Sequence, residues 1–362
     1  MRQLPALILL LTALIPWAHA SSTPTAPVGP ATCQAGPQPG PPLQAAPLPS
    51  SVTGRVSFYA ALYGKTGPTR SLALGDMDAV YPLASTFKPL VVHGILRDVD
   101  AGKFKLNTPF TTTAANRSIE GYPAGTNTLQ ELAQRAIHLS DNTANDILQL
   151  AYGPARLARE VRATSPCTTV LHTTKAWWAA QAGLTPDVLG PDPLTRLRTL
   201  AQQSFEQRLL TARVLNTAAQ AVAAPRLEAA LDAYFHGQTY TPELEYYVQN
   251  TSTARAYTDL MAQTLSGADL KPGTRAVYRK ILQSGCCRPK TPRLQATYWA
   301  AKAGSGWRLL TLTGYVETPG GVMAYTYLND QSDVTDAEEM EKQIRPVVAW
   351  IEGNLLTLQG AR

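Results

Sequence analysis

Residues 81–92 read YPLASTFKPLVV, and their reading decides the rest of the chain. Ser85 and Lys88 are three positions apart, so on a helix they share a face. The neighbours Leu83, Phe87, Leu90 and Val91 make that helix a buried one. An ammonium group in such surroundings is costly unless something compensates it. One compensation is chemical: a desolvated lysine gives up its proton and activates a nearby hydroxyl as a nucleophile. The competing reading is structural, with Lys88 snorkelling to solvent and Ser85 serving as an N-cap.

Working outward, GRVSFYAALYGKTG (54–67) alternates as a strand and turns at residues 64–67, and SLALGDMDAVYPL (71–83) supplies a second strand leading into the Ser85 helix. On the other side TLQELAQRAIHL (128–139) opens with Thr128 and Glu131 as a capping box and carries an apolar face. NTANDILQLAYG (142–153) continues as a second helix ending at Gly153, and residues 194–235, punctuated by Pro225, predict two more. RLLTLTGYVETPGGVMAYTYLND (308–330) predicts two strands around the turn at residues 318–321, and DAEEMEKQIRPVVAWIEGNLL (336–356) a final amphipathic helix. Strands at both ends with helices between them imply an α/β (α+β) layer closed by the two termini. That layer comprises residues 51–112 and 290–362, with a helical domain at 113–289 that carries an insertion at about 175–240.

The 362 residues, 44% hydrophobic and 16% charged, suffice for a large core. A net charge of +6 without Lys/Arg runs argues against a nucleic-acid partner. Residues 1–20, MRQLPALILLLTALIPWAHA, combine a short basic start, an apolar stretch and an A-x-A ending. They read as a secretory signal peptide cleaved near Ala20, too short for a membrane span, which predicts an exported (periplasmic or extracellular) protein. Residues 21–50, rich in proline and free of charge, read as a disordered linker. Export makes disulfides reasonable for Cys33, Cys167, Cys286 and Cys287. The adjacent Cys286 and Cys287 are poorly placed to bridge each other, so Cys167 bonded to one of them is the favoured pairing, with Cys33 left over. His93, His138, His172 and His236 lack ligand spacing, and neither a metal nor a cofactor is expected.

A nucleophilic Ser85 needs a proton relay and a seat for a developing oxyanion. HLSDNTAND supplies Ser140-Asp141-Asn142 at a helix junction, and YWAAKAGSGWRLL supplies Lys302-Ala303-Gly304-Ser305-Gly306 at the start of a strand. S-x-x-K, S-D-N and a K-x-G element in this order resemble the class A β-lactamase and penicillin-binding serine hydrolase family. STFKPL, DVDAGKFKLNTPF and AGTNTLQELAQRAIHLSDNTANDIL are also similar to segments of that family. The resemblance implies an antiparallel sheet flanked by terminal helices plus an enlarged all-helical lobe. It implies that Ser85 is acylated, Lys88 takes its proton, and Ser140 passes that proton to the leaving nitrogen. Asn142 would hold the substrate's amide, Lys302 its carboxylate, and Gly304 and Ser305 belong to the same substrate-binding strand. The backbone N–H groups of Ser85 and Ser305 would form the oxyanion hole.

Two departures qualify the resemblance. Ala303 stands where the family carries a hydroxyl, so Ala303→Thr is expected to strengthen substrate binding. The family's water-holding glutamate has no clear counterpart: TPELEYYVQ (241–249) offers Glu243 and Glu245, and Asp146 stands where an asparagine braces that glutamate. Trp177, Trp178 and Tyr234 in the inserted region read as core or as a wall of the cleft. The expected activity is that of an exported, monomeric serine hydrolase whose acyl-enzyme forms with β-lactams and is then hydrolysed. The alternatives are a peptidoglycan DD-peptidase or transpeptidase acting on stem peptides with slow deacylation, and a binding module that keeps the fold.

Overall fold

The structure is a computed structural model that describes residues 32–34, 36 and 39–360. The predicted signal peptide lies outside the described residues.

The chain enters through Leu43–Gln44 (β1) and the hairpin Arg55–Gly64 (β2) and Gly67–Leu74 (β3). Val80–Pro82 (β4) leads to a 3₁₀ turn, Ala84–Phe87, that runs directly into the helix Lys88–Asp100 (α1). Pro109–Thr111 (β5) and Thr126–Thr128 (β6) pair with each other and precede Leu129–His138 (α2), Asn142–Tyr152 (α3) and Pro154–Thr164 (α4). Six helices follow: Thr174–Gln181 (α5), Pro186–Leu189 (α6), Pro193–Ala201 (α7), Phe205–Gln220 (α8), Ala224–His236 (α9) and Pro242–Val248 (α10). Thr251–Thr253 (β7) pairs with β4 ahead of Ala254–Ser266 (α11) and Pro272–Gln283 (α12). The chain closes with Tyr298–Gly306 (β8), Leu309–Thr318 (β9), Gly321–Asp330 (β10), Ala337–Lys342 (α13) and Ile344–Gly360 (α14).

Six strands form one sheet in the order β1-β3-β2-β10-β9-β8, antiparallel except for β1 against β3. Its two faces follow the alternation of the strands. On β8, Tyr298 and Ala300 face the core shared with the helical lobe, whereas Trp299, Ala301 and Ala303 face a second core with Val347, Ile351 and Leu355 of α14. The predicted architecture is therefore the observed one, a sheet between the terminal helices and a helical lobe. β8 lies at the sheet edge, where Gly304 packs against the turn that carries Ser85.

Four expectations need correction. The final helix is two, α13 and α14, separated at Gln343. Pro346 has no N–H to donate to the carbonyl four residues earlier, but it is tolerated in the first turn of a new helix. Residues 194–235 lie in three helices rather than two, because residues 202–204 interrupt them and Ser204 caps α8 with Gln207 in a capping box.

The expected linker is in part docked onto the fold. β1 extends the sheet, the Ala46 N–H donates to Asn354 Oδ1 at 2.9 Å, and the Trp350 indole donates to the Pro47 carbonyl at 2.8 Å. A proline-rich segment cannot build its own core, but it can satisfy its carbonyls against one already formed. The same docking overturns the cysteine pairing: Cys33 is bonded to Cys167, their Cα atoms 5.5 Å apart, and Cys286 is bonded to Cys287. The Cys33 N–H donates to the Asp78 carbonyl at 2.9 Å, so the polar tether that holds the segment also presents its thiol.

Candidate active site

The 3₁₀ turn Ala84–Phe87 places Ser85 and Lys88 one turn apart, where the 3₁₀ geometry eclipses side chains at i and i+3. The turn is pinned from several sides. The Thr311 hydroxyl donates to the Leu83 carbonyl at 2.9 Å, the Tyr257 hydroxyl to the Thr86 carbonyl at 2.7 Å, and the Leu83 N–H to the Asn250 carbonyl at 2.8 Å. Gly304 of β8 comes so close that a Cβ there would lie 2.4 Å from the Ser85 nitrogen and 2.7 Å from the Ala84 Cβ. Ser85 itself is half-buried and lines a cleft of about 600 Å³.

Lys88 does not snorkel. It is wholly buried, donating to Asn142 Oδ1 at 2.7 Å, to the Ser140 hydroxyl at 3.2 Å and to the Ser140 carbonyl. Lys302, equally buried, reaches the same Ser140 hydroxyl at 2.9 Å from the opposite side. Burial brings the Lys88 ammonium down to about 8, against the opposing pull of Asp146, Glu120 and Asp141. Burial, and next the charge of Lys88, hold Lys302 well below the usual lysine range. Two amines held low around one hydroxyl have the chemistry to exchange a proton through it at near-neutral pH.

The Ser140 loop is fixed by Asp141, which caps α3 through the Ala144 N–H at 2.9 Å and pairs with Arg135 at 2.7 Å. Among the described residues six non-glycine positions have left-handed φ, and three of them, Ala84 (42°), Glu120 (67°) and Ser140 (55°), line the cleft. Each such conformation costs about 1–3 kcal/mol and persists only where surrounding contacts enforce it. Here it sets the aim of the groups around Ser85.

All seven residues singled out from the sequence thus converge. Ser85, Ser140, Asn142 and Ser305 line the cleft, Lys88 and Lys302 meet at Ser140, and Gly304 abuts Ser85. Ala303 does not join them. It is 6% exposed and belongs to the apolar cluster behind the sheet with Leu312 and Met340.

The carboxylates separate cleanly. Glu243 is bound to Arg198 outside the cleft, with Oε1 2.7 Å from the guanidinium. Glu245 lines the cleft, 4% exposed, and accepts from Gln181 Nε2 at 3.1 Å. Burial, with the nearby Asp330 charge, pushes its carboxyl up to about 8. Asp146 is buried as an acceptor for the Thr174 and Lys175 N–H groups, both at 2.8 Å, at the start of α5. Burial pushes it up to about 6, with those bonds and Lys88 opposing. Asp146 therefore orders the first turn of α5 instead of bracing a glutamate.

Sequence reasoning missed Glu120, whose Oε2 accepts from Asn142 Nδ2 at 3.0 Å, and Glu341, whose Oε1 accepts from the Ser305 hydroxyl at 2.6 Å. Both come from segments with no motif of their own. The insertion supplies a wall of the cleft: Trp177 and Trp178 from α5, Phe235 and His236 from α9. Phe235 stacks on Trp307 of the β8–β9 turn with centroids 5.3 Å apart, and Trp177 packs edge-on to Phe87 at 5.6 Å. The histidines are dispersed: His172 is buried against the Val248 carbonyl and held down to about 4 by burial, while His93 pairs with Asp269 at 2.8 Å.

Comparison with known proteins agrees with this geometry. The model of a family described as "Beta-lactamase enzyme family" matches residues 54–349. A protein described as a beta-lactamase from Kitasatospora aureofaciens is 32% identical over 162 residues, 39% of this chain, and the chain spans about half (50%) of that relative's length. A beta lactamase structure from Xanthomonas campestris matches 84% of this chain and 93% of its own at 17% identity and a TM-score of 0.54. One from Sphaerobacter thermophilus matches 85% of this chain and 92% of its own at 16% identity and a TM-score of 0.55. A variant of a reconstructed class A beta-lactamase, the last common ancestor of Gram-negative bacteria, matches 84% and 94% at 21% identity and a TM-score of 0.53. At these identities the structures establish the shared fold.

Proposed function

The chain belongs to the beta-lactamase enzyme family, and from that premise we propose that it is an exported serine hydrolase acylated on Ser85 by β-lactams. The observation that carries the proposal is the Ser140 hydroxyl bonded to both Lys88 and Lys302 in the cleft that Ser85 lines. Lys88, in its neutral form, takes the Ser85 proton as the hydroxyl attacks the lactam carbonyl. The backbone N–H groups of Ser85 and Ser305 receive the oxyanion, a term worth about 3–4 kcal/mol per donor in acyl-transfer sites. Ser140, its proton supplied through the lysines, protonates the departing nitrogen.

Deacylation falls to Glu245, which would hold and deprotonate a water. With its carboxyl pushed up to about 8 by burial, the ionised base is the minor fraction at pH 7. That fraction favours, as a second reading, a penicillin-binding peptidase whose acyl-enzyme is long-lived. The two disulfides support export into an oxidising compartment. Among the described residues no helix is long and apolar enough to cross a membrane.

A fluorescent penicillin and a chromogenic cephalosporin test the proposal. Covalent labelling of the wild type, lost in Ser85→Ala, together with cephalosporin turnover is the expected result. Labelling that persists in Ser85→Ala would refute the nucleophile, and a label lasting hours without turnover would select the peptidase.

A further inference from the structure

The inserted helix α9 lays one face along the cleft. Glu228, Leu231, Asp232, Phe235 and His236 all line it, and their spacing of three and four is that of a single helix face. The charged members of that face already have partners: Glu228 accepts the Glu120 N–H at 3.1 Å, and Asp232 lies 3.1 Å from His236. Leu231 is buried in an apolar cluster of the helical lobe. Phe235 is different. It is half-buried and stacks on Trp307, centroids 5.3 Å apart and ring planes at 21°, and Trp307 is half-buried as well. Both rings line the cleft, so each keeps part of its surface open to it.

A second observation is the place of these rings along β8. From Lys302 the strand runs through Ser305 to Trp307 in the β8–β9 turn. At the rise of a strand, Trp307 lies about 7 Å beyond Ser305, on the side away from Lys302. A ligand whose carboxylate meets Lys302 and whose reacting carbonyl meets the Ser305 N–H therefore points its far end toward Trp307. A phenylacetamido side chain has that reach. The turn is held in place: Arg308 has a left-handed φ of 57°, its N–H donates to the Thr335 carbonyl at 3.3 Å, and its carbonyl accepts the Ser332 N–H at 3.2 Å. His236 and Tyr240 brace the Trp307 ring with centroids at 4.9 and 6.1 Å. A fixed ring pair with open surface favours a third ring over an alkyl chain, because the ring quadrupoles add to the burial of apolar area.

We infer that Phe235 and Trp307 form an aryl subsite for the acyl side chain, so that the inserted helix sets which acyl donors are preferred. Donors with a flat aromatic ring just beyond the side-chain amide are favoured over those with an alkyl chain of similar length. The inference rests on the β-lactam reading proposed above for the orientation of the ligand.

Benzylpenicillin and pentylpenicillin are matched probes, both uncharged in the side chain, one ending in a phenyl ring and the other in a straight alkyl chain. Competition against a fluorescent penicillin reads acylation, and equilibrium binding to the Ser85→Ala protein reads recognition without any acyl-enzyme. Benzylpenicillin should be preferred about threefold to tenfold in both, the range that an aromatic pair adds beyond its buried area. Trp307→Leu and Phe235→Leu each keep an apolar side chain and remove one ring, and each should bring the ratio close to one. Trp307→Phe should restore most of the preference. A contact that merely holds α9 in place would instead slow both probes together in the leucine variants and keep their ratio, and that result overturns the proposal. So does equal binding of the two probes by the Ser85→Ala protein, or binding of neither. Selective binding without acylation of the wild type would overturn the Ser85 reading and leave this one standing, and acylation without preference would do the reverse.

Discussion

Lys302 donates to the Ser140 hydroxyl at 2.9 Å although the two residues are 162 positions apart in the chain. Lys88 approaches the same oxygen at 3.2 Å from the helix that begins beside Ser85. A hydroxyl between two amines is the arrangement that the proposed proton relay requires, and the amines come from different layers of the fold. The sheet edge and the helical lobe must therefore be assembled before the relay exists.

Ser140→Ala removes the common acceptor while leaving the Lys88 bond to Asn142 in place. Acylation by a fluorescent penicillin should slow by about 10²–10⁴-fold, the range of a lost proton-transfer group. Stopped-flow labelling measures it, and a slowing of under tenfold would remove Ser140 from the relay.

The pH dependence of acylation follows from Lys88. In the proposed mechanism its neutral form is the base, and burial holds it to about 8, so the labelling rate should rise with pH and level off above about 8. Asp146 opposes that depression through its charge. Asp146→Asn removes the charge, and the midpoint should move to lower pH. The same change leaves one of the Thr174 and Lys175 N–H groups without an acceptor, at a cost of about 1–3 kcal/mol in stability. A midpoint that stays fixed or rises would detach Asp146 from Lys88.

Gly304→Ala tests the contact between β8 and the nucleophile. The new Cβ would sit 2.4 Å from the Ser85 nitrogen and 2.8 Å from the Thr311 hydroxyl, with backbone on one side and no flexible group to yield. Displacing the turn that carries Ser85 should reduce acylation by roughly a hundredfold, the cost of misplacing a reacting group by about 1 Å. Near-normal labelling by a folded Gly304→Ala protein would contradict the packing.

Much of this site was legible because its signals are local. Ser85 and Lys88 are three residues apart, the capping box of Thr128 and Glu131 holds in the structure, and the hairpin turn at residues 318–321 was marked by its glycines. What could not be read depends on distant partners. Glu120 and Glu341 carry no motif, and only the fold sets them against Asn142 and Ser305. Glu243 and Glu245 are two positions apart and chemically identical, yet one meets Arg198 outside the cleft and the other is buried inside it. Proline content described the stretch before residue 50 by what it lacks, a core of its own, and was silent on β3 and α14, which receive it.

Ala303→Thr, expected from the sequence to improve substrate binding, should do the reverse of helping. The residue faces the apolar cluster with Leu312 and Met340, so a hydroxyl there is desolvated without a partner in view. A loss of about 1–3 kcal/mol in denaturant unfolding is expected, with KM for carboxylate-bearing cephalosporins unchanged. A lowered KM would mean that the hydroxyl reaches the cleft after all.

The Cys33–Cys167 bond ties the docked N-terminal segment to the helical lobe across 134 residues of chain. Paired substitution Cys33→Ser and Cys167→Ser removes a cross-link that restricts the unfolded chain, for a loss of about 2–4 kcal/mol. The Cys33 N–H bond to Asp78 and the Arg255 bond to the Gly36 carbonyl at 3.1 Å are weaker substitutes and should not retain the segment alone. Asp78 also pairs with Arg255 at 2.7 Å, and α11, which bears Arg255, holds the Ser85 turn through Tyr257. Loss of the bond should thus lower the thermal midpoint and expose the segment to proteolysis before acylation at 25 °C declines. Parallel loss of stability and labelling would instead mean that the segment is needed to form the site.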